Sequence, residues 1–207
     1  MDVRKIACAL MLLAAPSLVS AEEAKGGKAK KGADPEAMMK AMMAAWEKAG
    51  TPGANHKMLQ KMVGSWTTSN KAWMGPGEPE VSPGTCEVKS IMDGRYLVEE
   101  FTGSMMGKPF VGHSMSGYDN LKKKFVSTWI DNMSTGIMYG EGAVNTDGKM
   151  TMSMSYVDAM TSKPMTMRMV SRWEGDNKRV AEFFEKRGGK EMKSMEITYT
   201  RKTSAAK

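Results

Sequence analysis

Two stretches, "KMTMSMSY" (149–156) and "PMTMRMVSRW" (164–173), place a methionine at every second position. Successive side chains of a β-strand point to opposite faces, so a period of two predicts two strands, each with one methionine face. The connection "DAMTSK" (158–163) is a turn-like segment that joins them into a hairpin. The central question is whether these sulfurs form a metal site or the wall of an apolar pocket.

The register of this hairpin decides where the sulfurs lie. If Val157 pairs with Pro164, then Met154 lies opposite Met167, and all six sulfurs share one face. Threonine, serine and arginine occupy the other face, which indicates that the methionine face points inward. His113 and Met115 share a face of an earlier strand and are added to this wall. The predicted pocket wall comprises Met150, Met152, Met154, Tyr156, Met165, Met167, Met169, His113 and Met115.

From Gly64 onward, short alternating segments follow one another with turn-like separators such as "GPGEP", "NTDGK" and "GDNK". The predicted strands cover residues 65–73, 84–92, 95–103, 110–118, 124–132, 136–145, 149–157, 164–174, 178–187 and 191–201. No separator is long enough for a crossover helix, so sequential strands must pair antiparallel. The sequence therefore predicts an all-β fold: an up-and-down barrel of about ten antiparallel strands, preceded by one or two short helices and closed because closure removes sheet edges.

The chain before and after the barrel divides by composition. Residues 1–21 combine a charged start, a short apolar run and small residues before the predicted cleavage site, which is typical of a signal peptide. Residues 22–33 form a predicted disordered basic linker, residues 34–50 an amphipathic methionine-rich helix, residues 54–202 the barrel domain, and residues 203–207 a disordered tail. We therefore expect an exported protein, periplasmic or secreted, with no integral membrane segment after cleavage.

The predicted helix at 34–50 begins with Asp34 as N-cap and Pro35 at its first position, and Gly50 ends it. Five large apolar residues fall on one broad face at helical spacing: Met38, Met39, Met42, Met43 and Trp46. Two interpretations of this face stay open, a lid docked on the domain or an arm that binds a partner.

The charge and cysteine content exclude several function classes. The formal net charge is +7, but the lysine runs at 25–31 and 121–124 carry no interleaved aromatics, so we expect no nucleic-acid partner. After cleavage, Cys86 is the only cysteine, which excludes an intramolecular disulfide. No histidine lies near it in sequence, so Cys86 is interpreted as a small buried strand residue. The sequence does not set the oligomeric state.

Three segments carry a family resemblance. "GSW" (64–66), straight after a short helix, resembles the G-x-W signature of the lipocalins and the wider calycin group. This resemblance implies that Gly64, Trp66 and Arg201 close one end of the barrel, with Trp66 against the arginine of the last strand. More closely, "VGSW", "GYDNLKKKFVSTWIDNMSTGIM" and "MEITYTRK" resemble a bacterial family, with exported members, known only as a domain of unknown function. That resemblance covers about 54–202 and implies the barrel without an activity.

Some ten-stranded relatives of the calycins bind haem and resemble nitrobindin. Those proteins place a histidine late in the barrel, whereas this chain has no histidine after His113. We therefore expect no haem and no other cofactor.

Three functions remain open. The favoured one is a binding protein that holds a small apolar or amphipathic ligand, because methionine is flexible and suits an irregular pocket wall. The second is Cu(I) binding by thioethers, which are soft ligands. After residue 21, however, 22 methionines accompany only three leucines, so methionine replaces leucine generally and no metal site is predicted. An enzyme is the third, although no hydrolase, Walker or zinc motif appears.

Overall fold

The computed structural model describes residues 34–203. The predicted signal peptide, the basic linker and most of the predicted C-terminal tail lie outside these residues. By its internal contacts the described chain divides into two units, one ending at Met43 and the other beginning at Ala44. No helix among the described residues has both the length and the apolar composition needed to cross a membrane.

Two helices precede the barrel. Helix α1 spans Pro35–Gly50, and its first turn is capped where the backbone N–H of Glu36 donates to Asp34 Oδ1 at 3.1 Å. No residue of α1 is buried, and the side chain of Trp46 is 71% exposed. The lid and the partner-binding arm both stay predictions. Helix α2 spans Ala54–Gln60, and its N-cap residue is Gly53, whose backbone N–H donates to His56 Nδ1 at 3.0 Å.

Ten antiparallel strands form one closed barrel in which each strand pairs with its neighbours in sequence and the last pairs with the first. Their bounds are β1 Gly64–Ala72, β2 Glu80–Ile91, β3 Tyr96–Met105, β4 Lys108–Asp119, β5 Lys124–Asp131, β6 Met138–Val144, β7 Met150–Val157, β8 Pro164–Trp173, β9 Lys178–Arg187 and β10 Lys190–Arg201. The predicted fold class is confirmed. The order follows from the short turns, which leave only antiparallel neighbours within reach.

The largest difference from the predicted strands is at the start of β2. The strand predicted from the sequence begins at residue 84. In the structure, β2 continues through Pro83, which pairs with Ser69, as far as Glu80, which pairs with Ala72. The extension lengthens the wall of the barrel at this end.

The core occupies the barrel interior and includes the end near α2. Trp66, Leu97 and Cys86 are the largest fully buried side chains, and Leu59 of α2 packs against the same cluster. Alternation along each strand supplies one inward side chain for every two residues. At the opposite end of the barrel, where β1 leads to β2 and β9 to β10, the interior contains a cavity that opens to solvent.

Candidate ligand-binding site

A cavity of about 540 Å³ lies inside the barrel. Its wall is apolar over most of its surface, with methionines on one side and aromatic rings on another. A volume of this size falls within the range of about 300–1,000 Å³ that is usual for small-molecule sites. Among the described residues, the interior of the barrel is therefore the leading candidate site.

The methionine hairpin supplies one side of this cavity. Met152 pairs with Met169 and Met154 with Met167, in the register predicted from the sequence, which is confirmed. These four side chains line the cavity, and so does Met150, which pairs with Ser171. The side chains of Met152, Met154 and Met167 are less than 9% exposed.

Tyr156 and Met165 end the methionine face. They pair with each other, and both are half-buried, but neither lines the cavity. Burial, followed by the charge of Glu185, raises the pKa of the Tyr156 phenol. The sequence placed both residues on the pocket wall, and the structure places them at its border.

The prediction that His113 and Met115 belong to the cavity wall is wrong. Both lie on the outer face of β4, where His113 is exposed and the Met115 side chain is 46% exposed. The inward face of β4 carries Phe110, Ser114 and Ser116 instead. Alternation shows which residues share a face, but burial of the large Phe110 ring decides which face turns inward.

An aromatic cluster that the sequence interpretation missed forms another side of the cavity. Phe101, Phe110 and Trp129 lie on β3, β4 and β5, and their ring centroids are 5.9–6.4 Å apart. Gly112 pairs with Asp131 beside this cluster, and a Cβ at Gly112 would collide with the Trp129 ring. The large residues at alternating positions of these strands were the sequence signal that could have predicted this cluster.

The closed end is built by the three residues that the calycin resemblance singled out. Arg201 places its guanidinium carbon 4.1 Å from the centroid of the Trp66 ring and donates to the carbonyls of Lys61 and Val63, both at 2.7 Å. The indole N–H of Trp66 donates to the Met62 carbonyl at 2.9 Å. Gly64 has φ +132°, and a Cβ there would lie 2.6 Å from Arg201 Nη1. A glycine is therefore required at this position.

Two charged side chains lie at the floor of the cavity, near this closed end. Arg179 and Glu99 both line the cavity, and the Arg179 guanidinium lies 4.1 Å from the centroid of the Tyr199 ring. Burial, followed by the charge of Glu99, raises the pKa of Tyr199 and of Cys86. Both groups therefore stay protonated at neutral pH, and the Cys86 thiol is no nucleophile.

Two buried side-chain oxygens on β1 have no hydrogen-bond partner among the described residues, Thr68 Oγ1 and Asn70 Oδ1. Thr68 pairs with Tyr199, and Asn70 lines the cavity two residues nearer the open end. A buried polar atom without a partner costs free energy. A polar ligand group that formed a hydrogen bond with one of these atoms would remove that cost.

The two histidines lie apart from the cavity. His56 packs edge-on against Tyr118, at a centroid distance of 5.8 Å, and His113 lies on the outer face. Within residues 34–203, no group of three or more His, Cys, Asp or Glu side chains could hold a metal ion.

A closed ten-stranded up-and-down barrel with an interior cavity, and with a glycine, a tryptophan and a terminal arginine at one end, defines a calycin-like barrel. Residues 51–201 match a family described as protein of unknown function, DUF1579, and the chain belongs to that family. No curated protein sequence matches this chain.

Two solved structures share the fold. One is Rv2717c from M. tuberculosis, with a TM-score of 0.53 and 14% identity over 74% of this chain and 100% of that one. Another is the S-type phycobiliprotein lyase CPES from Guillardia theta, with a TM-score of 0.51 and 10% identity over 74% of this chain and 99% of that one. At such low identity, the similarity concerns the fold alone.

Proposed function

We propose that this protein is a binding protein that holds a small, mainly apolar or amphipathic molecule inside its barrel. The observation that supports this most directly is the cavity of about 540 Å³ with its methionine and aromatic walls. Such a wall favours an apolar ligand through desolvation, and the unbranched methionines adapt to its shape. Calycin-like barrels are suited to this task because closure leaves an interior volume between the two ends.

Neutral, polarity-sensitive Nile red is the probe that tests this proposal. We expect its fluorescence to rise on binding, and we expect Ala72→Trp to reduce binding because Ala72 lines the cavity and the indole would fill it. Thr67→Trp is the matched control, since Thr67 lies on the same strand with its side chain exposed. Equal loss in both variants, or no binding by the wild type, contradicts the proposal.

Cu(I) binding by the same methionines is the competing function. Cu(I) needs two or three sulfurs that converge on one point, whereas Met150, Met152 and Met154 follow one another along a strand at about 6.6 Å spacing. A strip of sulfurs is a natural apolar wall and a poor chelate. No observation favours copper over an apolar ligand.

Leucine replacement separates the two functions because it keeps volume and apolarity and removes the sulfur. Replacing Met152, Met154, Met167 and Met169 by leucine should leave folding and Nile red binding nearly unchanged. Cu(I) titration against a competing chelator is the parallel assay. Tight binding of one Cu(I) by the wild type, lost in the leucine variant, would replace the apolar-ligand proposal by the metal one.

We also propose that the protein is exported and begins at Glu22 after cleavage. The sequence of residues 1–21 supports this through its charged start, its apolar run and the small residues at Val19 and Ala21. Intact mass of the protein from a periplasmic or secreted fraction tests it. A product that retains residues 1–21 contradicts it.

A further inference from the structure

Arg179 differs from the other arginines of the described chain. Four of them have a carboxylate oxygen within 4.0 Å, namely Arg95, Arg168, Arg172 and Arg187. Arg201 instead donates to two backbone carbonyls. Within residues 34–203, Arg179 has neither kind of partner.

The side chains in direct contact with Arg179 are neutral. Its side chain lines the cavity, the residue is only 9% exposed, and its Nη1 donates to the Met62 sulfur at 3.9 Å. Tyr199 stacks on the guanidinium at 4.1 Å from the ring centroid. A guanidinium keeps its charge at any physiological pH and offers five N–H donors, so it cannot relieve this burial by losing a proton.

Glu99 is an acidic residue at the floor of the cavity, and its negative charge raises the pKa of both Tyr199 and Cys86. It lies on β3, whereas Arg179 lies on β9, and no Glu99 oxygen is within 4.0 Å of an Arg179 nitrogen in the described chain. Glu99 is half-buried, so solvent can hydrate its carboxylate. Arg179 is only 9% exposed and has no carboxylate partner among the described residues, and its charge is therefore the one that a ligand can complement.

From this geometry we propose that the cavity takes an amphipathic carboxylate, with its chain along the methionine wall and its head group on Arg179 at the floor. This inference rests on the proposed function and adds the charge and the direction of the ligand. A carboxylate matches the planar guanidinium fork with two parallel hydrogen bonds.

The neighbouring carboxylate favours a singly charged head group. Glu99 repels any anion at the floor, and it repels a dianionic phosphate ester more strongly than a monoanionic carboxylate. Binding removes the ligand carboxylate from water, which costs free energy. The attraction to Arg179 offsets this cost, because the guanidinium is already buried in the free protein. The apolar chain then extends from the floor toward the open end, past Met152 and Met169.

Displacement of Nile red from the full chain by four dodecyl compounds tests this inference: dodecanoate, 1-dodecanol, dodecyl phosphate and dodecyltrimethylammonium. We expect dodecanoate to bind about 10- to 100-fold more tightly than 1-dodecanol, the gain usual for hydrogen bonds to a charged group. Arg179→Met should abolish that difference and leave 1-dodecanol unchanged. Arg168→Met is the matched control, because Arg168 also stacks on an aromatic ring but lies on the outer face beside Glu191.

Glu99→Gln should act in the opposite direction and raise the affinity for dodecanoate by about 3- to 10-fold, since it removes the repulsion. It also keeps the inference testable if Arg179→Met fails to fold. Equal binding of dodecanoate and 1-dodecanol by the wild type overturns the carboxylate site and leaves the proposed function intact. Tightest binding of dodecyl phosphate or dodecyltrimethylammonium overturns the assignment of the head group. No displacement by any of the four overturns this inference, whereas only the absence of Nile red binding itself overturns the proposed function.

Discussion

Replacement of Trp66 tests how the barrel is closed. The Trp66 side chain is 2% exposed, its indole N–H donates to the Met62 carbonyl at 2.9 Å, and Arg201 covers its ring. Trp173 adds a second ring at a centroid distance of 6.0 Å. One side chain thus connects the start of β1 with the end of β10 and with the segment that follows α2.

The magnitude follows from these contacts. Truncation of a buried aromatic residue to alanine costs about 3–5 kcal/mol of unfolding free energy, and the cavity left by Trp66 has little freedom to collapse between Trp173 and Arg201. Trp66→Phe keeps a ring beneath Arg201 and loses the N–H donor, so it should cost about 1–2 kcal/mol. The ratio of the two losses separates packing from hydrogen bonding.

Urea unfolding followed by far-UV circular dichroism is the assay, with the unfolding free energy taken from the midpoint and slope. Trp46→Ala is the control, because the Trp46 side chain is 71% exposed and its loss should stay within about 0.5 kcal/mol. A Trp66→Ala loss below about 1 kcal/mol, or one no larger than that of Trp46→Ala, refutes the closure described here.

Three further predictions concern named contacts. Because burial raises its pKa, Cys86 should react with a thiol reagent far more slowly in the folded protein than in urea, and equal rates contradict its buried state. Gly142→Ala should destabilise the barrel by about 1–3 kcal/mol in urea unfolding, since the new Cβ would collide with the backbone of Thr151 and Met152; an unchanged midpoint argues against that approach. Lys193 lowers the pKa of Glu196 below 4.5, so this pair stabilises the fold above the unfolded-state pKa and the contribution disappears as pH falls through the folded-state pKa. Glu196→Gln should therefore lower stability at neutral pH by about 1 kcal/mol and not at strongly acidic pH, and an equal loss at both contradicts the ion pair.

The methionine hairpin is a feature that could be predicted from the local sequence pattern. The connection between the two strands is short, so the register Met152 to Met169 follows from pairing the residues on either side of it. Gly64, Trp66 and Arg201 were found through a family resemblance, and the structure shows the reason for the pattern in the close approach of Gly64 to the arginine.

The error at His113 and Met115 marks the limit of the same reasoning. A strand with Val111, His113 and Met115 on one face and Phe110, Ser114 and Ser116 on the other has no clearly apolar side in sequence. Which face turns inward depends on the side chains of the neighbouring strands. Here Phe110 packs against Phe101 and Trp129 in the interior. Such a choice is made by contacts between strands and is invisible in one strand alone.

Local sequence pattern is enough to predict the ten strands, their antiparallel order and the methionine face, because alternation and turn chemistry act between residues that are close along the chain. Three features come instead from the folded barrel: the inward face of β4, the aromatic side of the cavity, and the position of Arg179 at the floor without an ion-pair partner among the described carboxylates. They depend on distances across the closed barrel between residues far apart in sequence, such as Glu99 and Arg179. The charge at the cavity floor, on which the ligand proposal rests, is therefore a property of the fold.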